Sequence, residues 1–115
     1  MEVRAISKYV RMSPRKVKLV ADLVRGKGVQ EALTMLRFSP KAAARPVAKV
    51  IRSAVANAEE NYGLAPDDLY IAQIHADKGP TLKRGRPGPR GRFKPMLKRS
   101  THISVALETI EEAAH

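Results

Sequence analysis

The sequence predicts an α+β domain from which a basic β-arm projects, and three observations predict it. A short N-terminal segment of β-branched and mixed polar residues precedes three stretches whose apolar residues recur at helical spacing. Two further strand-like runs stand near the C-terminus. Between those two runs lies a stretch too rich in proline, glycine and positive charge to belong to a core.

Residues 3–10 mix β-branched and polar side chains and predict a first strand. Ser13 then offers an N-cap, and Pro14 suits a first helical turn, where its missing N–H has no partner to lose. Val17, Val20, Leu23 and Val24, with Leu19 beside them, make the apolar stripe of that helix. Gly26 is placed to end it in a left-handed conformation. A second helix is expected over 29–37, with Ala32, Leu33 and Leu36 turned inward and Phe38 closing over the same core.

Ser39-Pro40 repeats the cap signal, and a third helix is expected over 40–61. Ala43, Val47, Val50, Ile51, Ala54 and Ala58 form its long apolar face, and Tyr62-Gly63 ends it. Pro46 either bends this helix or marks a later start of its regular part near Arg45. After a turn at 66–68, a strand is expected over 69–77, with Leu69, Ile71 and Gln73 on one face and Tyr70, Ala72, Ile74 and Ala76 on the other. The last strand is expected over 96–108, where Ile103, Val105 and Leu107 alternate with Ser104 and Ala106. Its 115 residues suit one domain, expected over 1–108, with an arm at 78–98 and a loose tail at 109–115.

Charge narrows the function. The chain carries 22 Lys and Arg against 11 Asp and Glu, a formal net charge of +11. A compact domain with that excess repels itself unless a polyanion neutralises it. No acid occurs between Asp77 and Glu108, and that interval holds Lys78, Lys83, Arg84, Arg86, Arg90, Arg92, Lys94, Lys98 and Arg99. Four prolines and four glycines among residues 79–95 preclude a helix there. If the flanking strands continue outward, the tip near Pro87 and Gly88 stands about 60 Å from Leu69 at about 3.3 Å per residue.

Arginine's planar fork suits phosphate oxygens, and glycine lets backbone approach them closely. Phe93 is the one aromatic residue of the stretch, so phosphate and shape recognition is expected there rather than serial base stacking. A second basic cluster, Arg11, Arg15, Lys16, Lys18, Arg25 and Lys27, flanks the first helix. The helix N-terminus itself favours anions.

Other chemistries find little support. There is no cysteine, which rules out disulfides and thiolate metal sites. His75, His102 and His115 lack the spacing of a zinc site, although the first two can approach across the strands. No phosphate-binding P-loop and no catalytic carboxylate pair occurs, so an enzyme is not expected, and no cofactor or metal is expected. No apolar run approaches the roughly 18 residues of a membrane span, and no signal peptide is recognisable, so a soluble cytoplasmic protein is expected. The rival reading is a DNA-binding module. Two helices joined by Gly26-Lys27-Gly28 imitate a helix-turn-helix, but the second offers few base readers, Gln30, Thr34 and Arg37, with Glu31 adverse. The other form is an architectural protein whose basic β-arm kinks DNA with Pro87 or Pro89 as a wedge.

Four stretches carry a family resemblance. They are Ser13-Pro14-Arg15-Lys16-Val17-Lys18-Leu19-Val20-Ala21-Asp22-Leu23-Val24-Arg25-Gly26, then Ser53-Ala54-Val55-Ala56-Asn57-Ala58-Glu59. The third is Gly79-Pro80-Thr81-Leu82-Lys83-Arg84 continuing to Arg90-Gly91-Arg92, and the fourth is Lys98-Arg99-Ser100-Thr101-His102-Ile103. In order and spacing across residues 2–108 the chain resembles the bacterial large-subunit ribosomal protein twenty-two family.

The resemblance implies three helices packed on a small antiparallel sheet, with a long β-hairpin passing through ribosomal RNA to the nascent-peptide exit tunnel. It implies that Leu82, Lys83 and Arg84 match the hairpin segment where alterations affect macrolide response. It implies that Gly85, Arg86, Pro87, Gly88, Pro89, Arg90, Gly91 and Arg92 match the tip lining the tunnel constriction, near large-subunit ribosomal protein four and the nascent peptide. The basic residues of both clusters become ribosomal-RNA contacts on this reading, and the free protein is expected to be a monomer.

If all nine cations of the arm meet phosphate, the logarithm of RNA affinity should fall against the logarithm of salt with a slope approaching roughly −6. Titrations at several salt concentrations measure it, and a slope near zero would remove the polyanion.

Overall fold

In a computed structural model of the chain the described residues are 2–91 and 93–110; for 82–84, 86, 87, 89 and 93–97 the description covers the backbone alone. The elements run β1 (Val3–Val10), α1 (Pro14–Val24), α2 (Val29–Arg37), α3 (Ala44–Tyr62), β2 (Leu69–Lys78), β3 (Leu82–Pro87), β4 (Phe93–Lys98) and β5 (Thr101–Thr109). β1, β5 and β2 form one antiparallel sheet in that order, while β3 and β4 pair only with each other. The helices cover one face of the three-stranded sheet: α3 packs on β1 and β5, α1 on β2, and α2 on α3. The fold is therefore the α+β arrangement expected, with a separate two-stranded ribbon.

The helices begin and end for local reasons. Ser13 Oγ accepts from the Lys16 N–H at 3.4 Å, and Pro14 opens α1. Val17, Val20, Ala21 and Val24 are its buried residues. Leu23 and Leu19, expected in or beside the stripe, are 52% and 54% exposed. At about 100° per residue Leu23 lies about 120° round from Val17, outside the face that Ala21 completes. Phe38 does not close over the core either and is 77% exposed. It stands two residues beyond buried Leu36, on the far side of the helix, with the Arg37 guanidinium 5.8 Å above its ring.

α3 starts at Ala44 rather than Pro40, because residues 41–45 first make a tight turn, with Ala44 N–H donating to Lys41 O at 3.1 Å. Pro46 is thus the third helical residue. It falls among the first four positions, whose N–H groups have no partner, so neither a bend nor a lost bond results. Gly63, at φ 63° and ψ 24°, ends α3 in the left-handed region that favours glycine.

Two bulges reshape the sheet. The β2–β5 register shifts between Ile71 and Gln73. The strict alternation expected for 69–77 therefore fails: Leu69, Ile71 and Ile74 are all buried, while Gln73 is exposed. An extra residue in one strand reverses which parity faces the helices. The second bulge, between Ser7 and Val10 of β1, leaves Tyr9 at φ 58°. The last strand is also not continuous from 96; it breaks at Arg99-Ser100, separating β4 from β5. Of the expected tail, Thr109 pairs with Leu69 within β5, and residues 111–115 lie outside the described residues.

Tyr70 and Glu108 face each other across β2 and β5, and the Tyr70 hydroxyl donates to Glu108 Oε2 at 2.8 Å. That bond first, then desolvation and the carboxylate charge, raises the Tyr70 pKa above the usual phenol value. The folded chain therefore holds this proton more tightly than the unfolded one. The stabilisation is complete below about pH 10 and is lost as pH rises beyond it. Denaturant midpoints measured through that range should fall less steeply in Tyr70→Phe than in the parent.

Candidate nucleic-acid interface

The ribbon is an arm. The molecule measures 64 × 26 × 23 Å along its principal axes, and its radius of gyration is 17.2 Å. A compact chain of this length would have about 13 Å. β3 and β4 run in register from Leu82 opposite Lys98 to Pro87 opposite Phe93. At the tip Arg90, exposed, and Gly91 take φ of 60° and 72°. Arg92 lies outside the described residues. The register sets Arg86 opposite Lys94, a like-charge pairing that weakens an isolated ribbon. The basic positions Lys83, Arg84, Arg86 and Lys94 all occur on these two strands, with Lys78 at the end of β2 and exposed.

The arm joins the body through a small hydrogen-bonded clasp. Gly79 N–H donates to Ser100 O at 3.0 Å, and Ser100 Oγ donates to Pro80 O at 2.6 Å. Thr101, fully buried, donates from Oγ1 to Met12 O at 2.7 Å. These bonds tie the break between β4 and β5 to the end of β2 and to the loop that enters α1. Gly79 is buried, and a Cβ there would stand 2.6 Å from Ser100 Oγ.

The first-helix cluster divides in two. Arg11, Arg15, Lys16 and Lys18, at its N-terminal end, are exposed, and no ion pair involves them among the described residues. Arg25 and Lys27, at the other end, are already engaged. Arg25 donates to Asp22 Oδ1 and to Ile74 O, each at 2.7 Å, and the Lys27 ammonium lies 4.0 Å from Glu31 Oε1. Arg25 thus ties α1 to β2 rather than standing free.

Arg11 and Lys16 meet Lys98 and Arg99 of the arm root around one groove, and Lys41, which sequence reasoning did not single out, joins them from the turn before α3. Lys41 is far from both basic clusters in sequence, and only the folding of that turn onto the entrance of α1 brings it there. Tyr9, also missed, lines the same groove; a tyrosine in a strand pattern gives no signal of a bulge.

The helix-turn-helix reading fares poorly. The α1–α2 loop is clamped to the sheet by Gly26 N–H to Ile71 O at 2.8 Å and Ile71 N–H to Lys27 O at 2.9 Å. Of its base readers, Gln30 donates to Asp67 Oδ1 at 2.6 Å and Thr34 Oγ1 donates to the Gln30 carbonyl at 3.0 Å. Both side chains are engaged within the protein. His75 and His102 do not pair across the strands: the register sets His75 against Ser104, and His102 Nδ1 accepts from the Tyr9 N–H at 3.1 Å.

Comparison with known proteins gives one consistent result. Residues 5–108 match the family described as ribosomal protein L22p/L17e. The large ribosomal subunit protein uL22 of Thermoanaerobacter sp. (strain X514) is 56% identical over 111 residues, covering 96% of this chain and 100% of that protein. Its counterpart in Synechococcus sp. (strain JA-2-3B'a(2-13)) is 55% identical over 112 residues, covering 97% and 90%. That of Clostridium novyi (strain NT) is 55% identical over 108 residues, covering 94% and 97%.

Gly79→Ala should displace Ser100 Oγ and break its bond to Pro80. Loss of one such bond should lower unfolding free energy by about 1 kcal/mol in urea melts. Gly79→Ala of parental stability would mean that the clasp adapts freely.

Proposed function

We propose that this chain, which belongs to the ribosomal protein L22p/L17e family, binds large-subunit ribosomal RNA through the open end of α1 and through its arm. As a member of that family it is a non-enzymatic structural constituent of the large ribosomal subunit. Within the cytoplasmic ribosome the body anchors on folded RNA and supports subunit assembly. The arm passes between RNA segments, and residues 82–92 line the nascent-peptide exit tunnel beside large-subunit ribosomal protein four, facing the nascent peptide.

The observation that carries this reading is the 64 Å long axis, given by a ribbon whose sequence holds cations and no carboxylate. Such a ribbon has neither a core nor internal counter-ions, and RNA offers both a surface to pack against and phosphates. The two ends of α1 support it as well. Exposed cations with no acidic partner among the described residues gather where the helix dipole favours phosphate, and the paired ones stand at the opposite end.

The test separates body from arm. A chain carrying Arg84→Ala, Arg86→Ala, Arg90→Ala and Arg92→Ala should enter large subunits several-fold less than the parent on sucrose gradients. Its circular dichroism and melting should remain close to the parent's. Full incorporation, or collapse of the body in that variant, would contradict the proposal. Competition by duplex DNA as effective as structured RNA at equal salt would favour the architectural DNA-binding alternative.

A further inference from the structure

We infer that the groove at the root of the arm is a site for one unstacked RNA nucleotide, its base laid on the Tyr9 ring and its phosphates held by the surrounding cations. This rests on the reading that the chain binds ribosomal RNA, and it specifies what the RNA presents at this point.

The groove is about 1050 Å³, slightly above the roughly 300–1,000 Å³ common for ligand sites. It lies between the end of β1, the entrance of α1, the turn before α3 and the arm root. Arg11, Lys16, Lys41, Lys98 and Arg99 line it, and no acidic residue among the described ones does. Met12 and Leu19 add an apolar wall, and Leu19 is 54% exposed although it stands on an otherwise ordinary helix. An occupant therefore has to satisfy dense positive charge and cover apolar surface at once.

Tyr9 supplies the independent observation. It is a bulky residue at φ 58°, a conformation that such side chains rarely adopt and that the surrounding structure must enforce. Its N–H donates to His102 Nδ1, and the two rings meet edge to face at 4.9 Å and 88°. The β1 bulge that produces this backbone does not bury the ring, which remains 63% exposed at the groove. Packing of the Tyr9 ring in the core thus does not account for the strain. A fixed, exposed aromatic face beside a row of cations suits a nucleobase with its flanking phosphates. A base inside a duplex presents only its edges, so the nucleotide has to be unstacked. An acidic peptide would meet the same cations, but its carboxylate side chains offer no aromatic face to the ring.

Two RNA hairpins test this, identical except that one carries a 2-aminopurine as an unpaired bulge and the other carries it paired with uridine. The full chain should prefer the bulged hairpin by about tenfold in fluorescence titrations, as stacking of one base on an aromatic ring would give. The Tyr9 ring resonances should move upfield with the bulged hairpin, while those of Tyr62 stay in place. Tyr9→Phe should keep the preference and Tyr9→Ala should abolish it. Equal affinity for the two hairpins, or a preference that survives Tyr9→Ala, would overturn the site while leaving RNA binding intact. So would an equal shift of the Tyr9 resonances by poly-glutamate. Failure to bind either hairpin at low salt would overturn both the site and the RNA-binding reading.

Discussion

Positive charge that the protein does not neutralise itself constrains every part of this molecule. β3 and β4 pair only with each other among the described strands. A two-stranded ribbon is at best marginally stable in water. Here Arg86 also stands opposite Lys94, and the whole interval from 78 to 107 lacks a carboxylate. On the proposed function, RNA supplies the counter-ions and the packing that the ribbon's own sequence lacks. The body must then hold together without help from the arm, and its core does so: α3 and α1 bury Val17, Val20, Val24, Val47 and Ile51 against Ile71, Ile74, Ile103 and Leu107 of the sheet.

The junction between the two parts shows how such an arm keeps a direction. A break at Arg99-Ser100 would make a loose hinge if the backbone there were free. Instead Gly79, Pro80, Ser100 and Thr101 form four partners of a short hydrogen-bonded clasp, with Met12 linking it to the start of α1. The entrance of α1, with its exposed cations, is therefore held close to the arm root. Charge from two distant parts of the sequence converges on one groove for this reason, and Lys41 joins it because α3 starts four residues later than its Pro40 signal suggests.

The candidate interface was only partly legible in advance. The excess of arginine and lysine between Asp77 and Glu108 is a property of composition, and it needs no structure to be seen. The difference between Arg15, exposed and with no acidic partner among the described residues, and Arg25, bound to Asp22 and a β2 carbonyl, is not. Both stand on the same helix with similar neighbours, and only the packing of α1 on β2 decides which guanidinium finds an internal acceptor. Tyr9 was invisible for a related reason: a bulge depends on the register of two strands that are more than ninety residues apart.

Local periodicity and capping chemistry by themselves determined the number and order of the helices, the start of α1 at Pro14, the span of α2, the end of α3 at Gly63 and the existence of a basic arm. Those features depend on residues within a few positions of one another, so the sequence contains their causes. Tertiary structure alone decided that Leu23 and Phe38 face solvent, that Ile74 joins Ile71 on the buried face and that the last strand divides at Ser100. It also decided which cations meet at the arm root. Each of these is set by register or by packing between elements distant in the chain, where the winning contact depends on shape that no local pattern records.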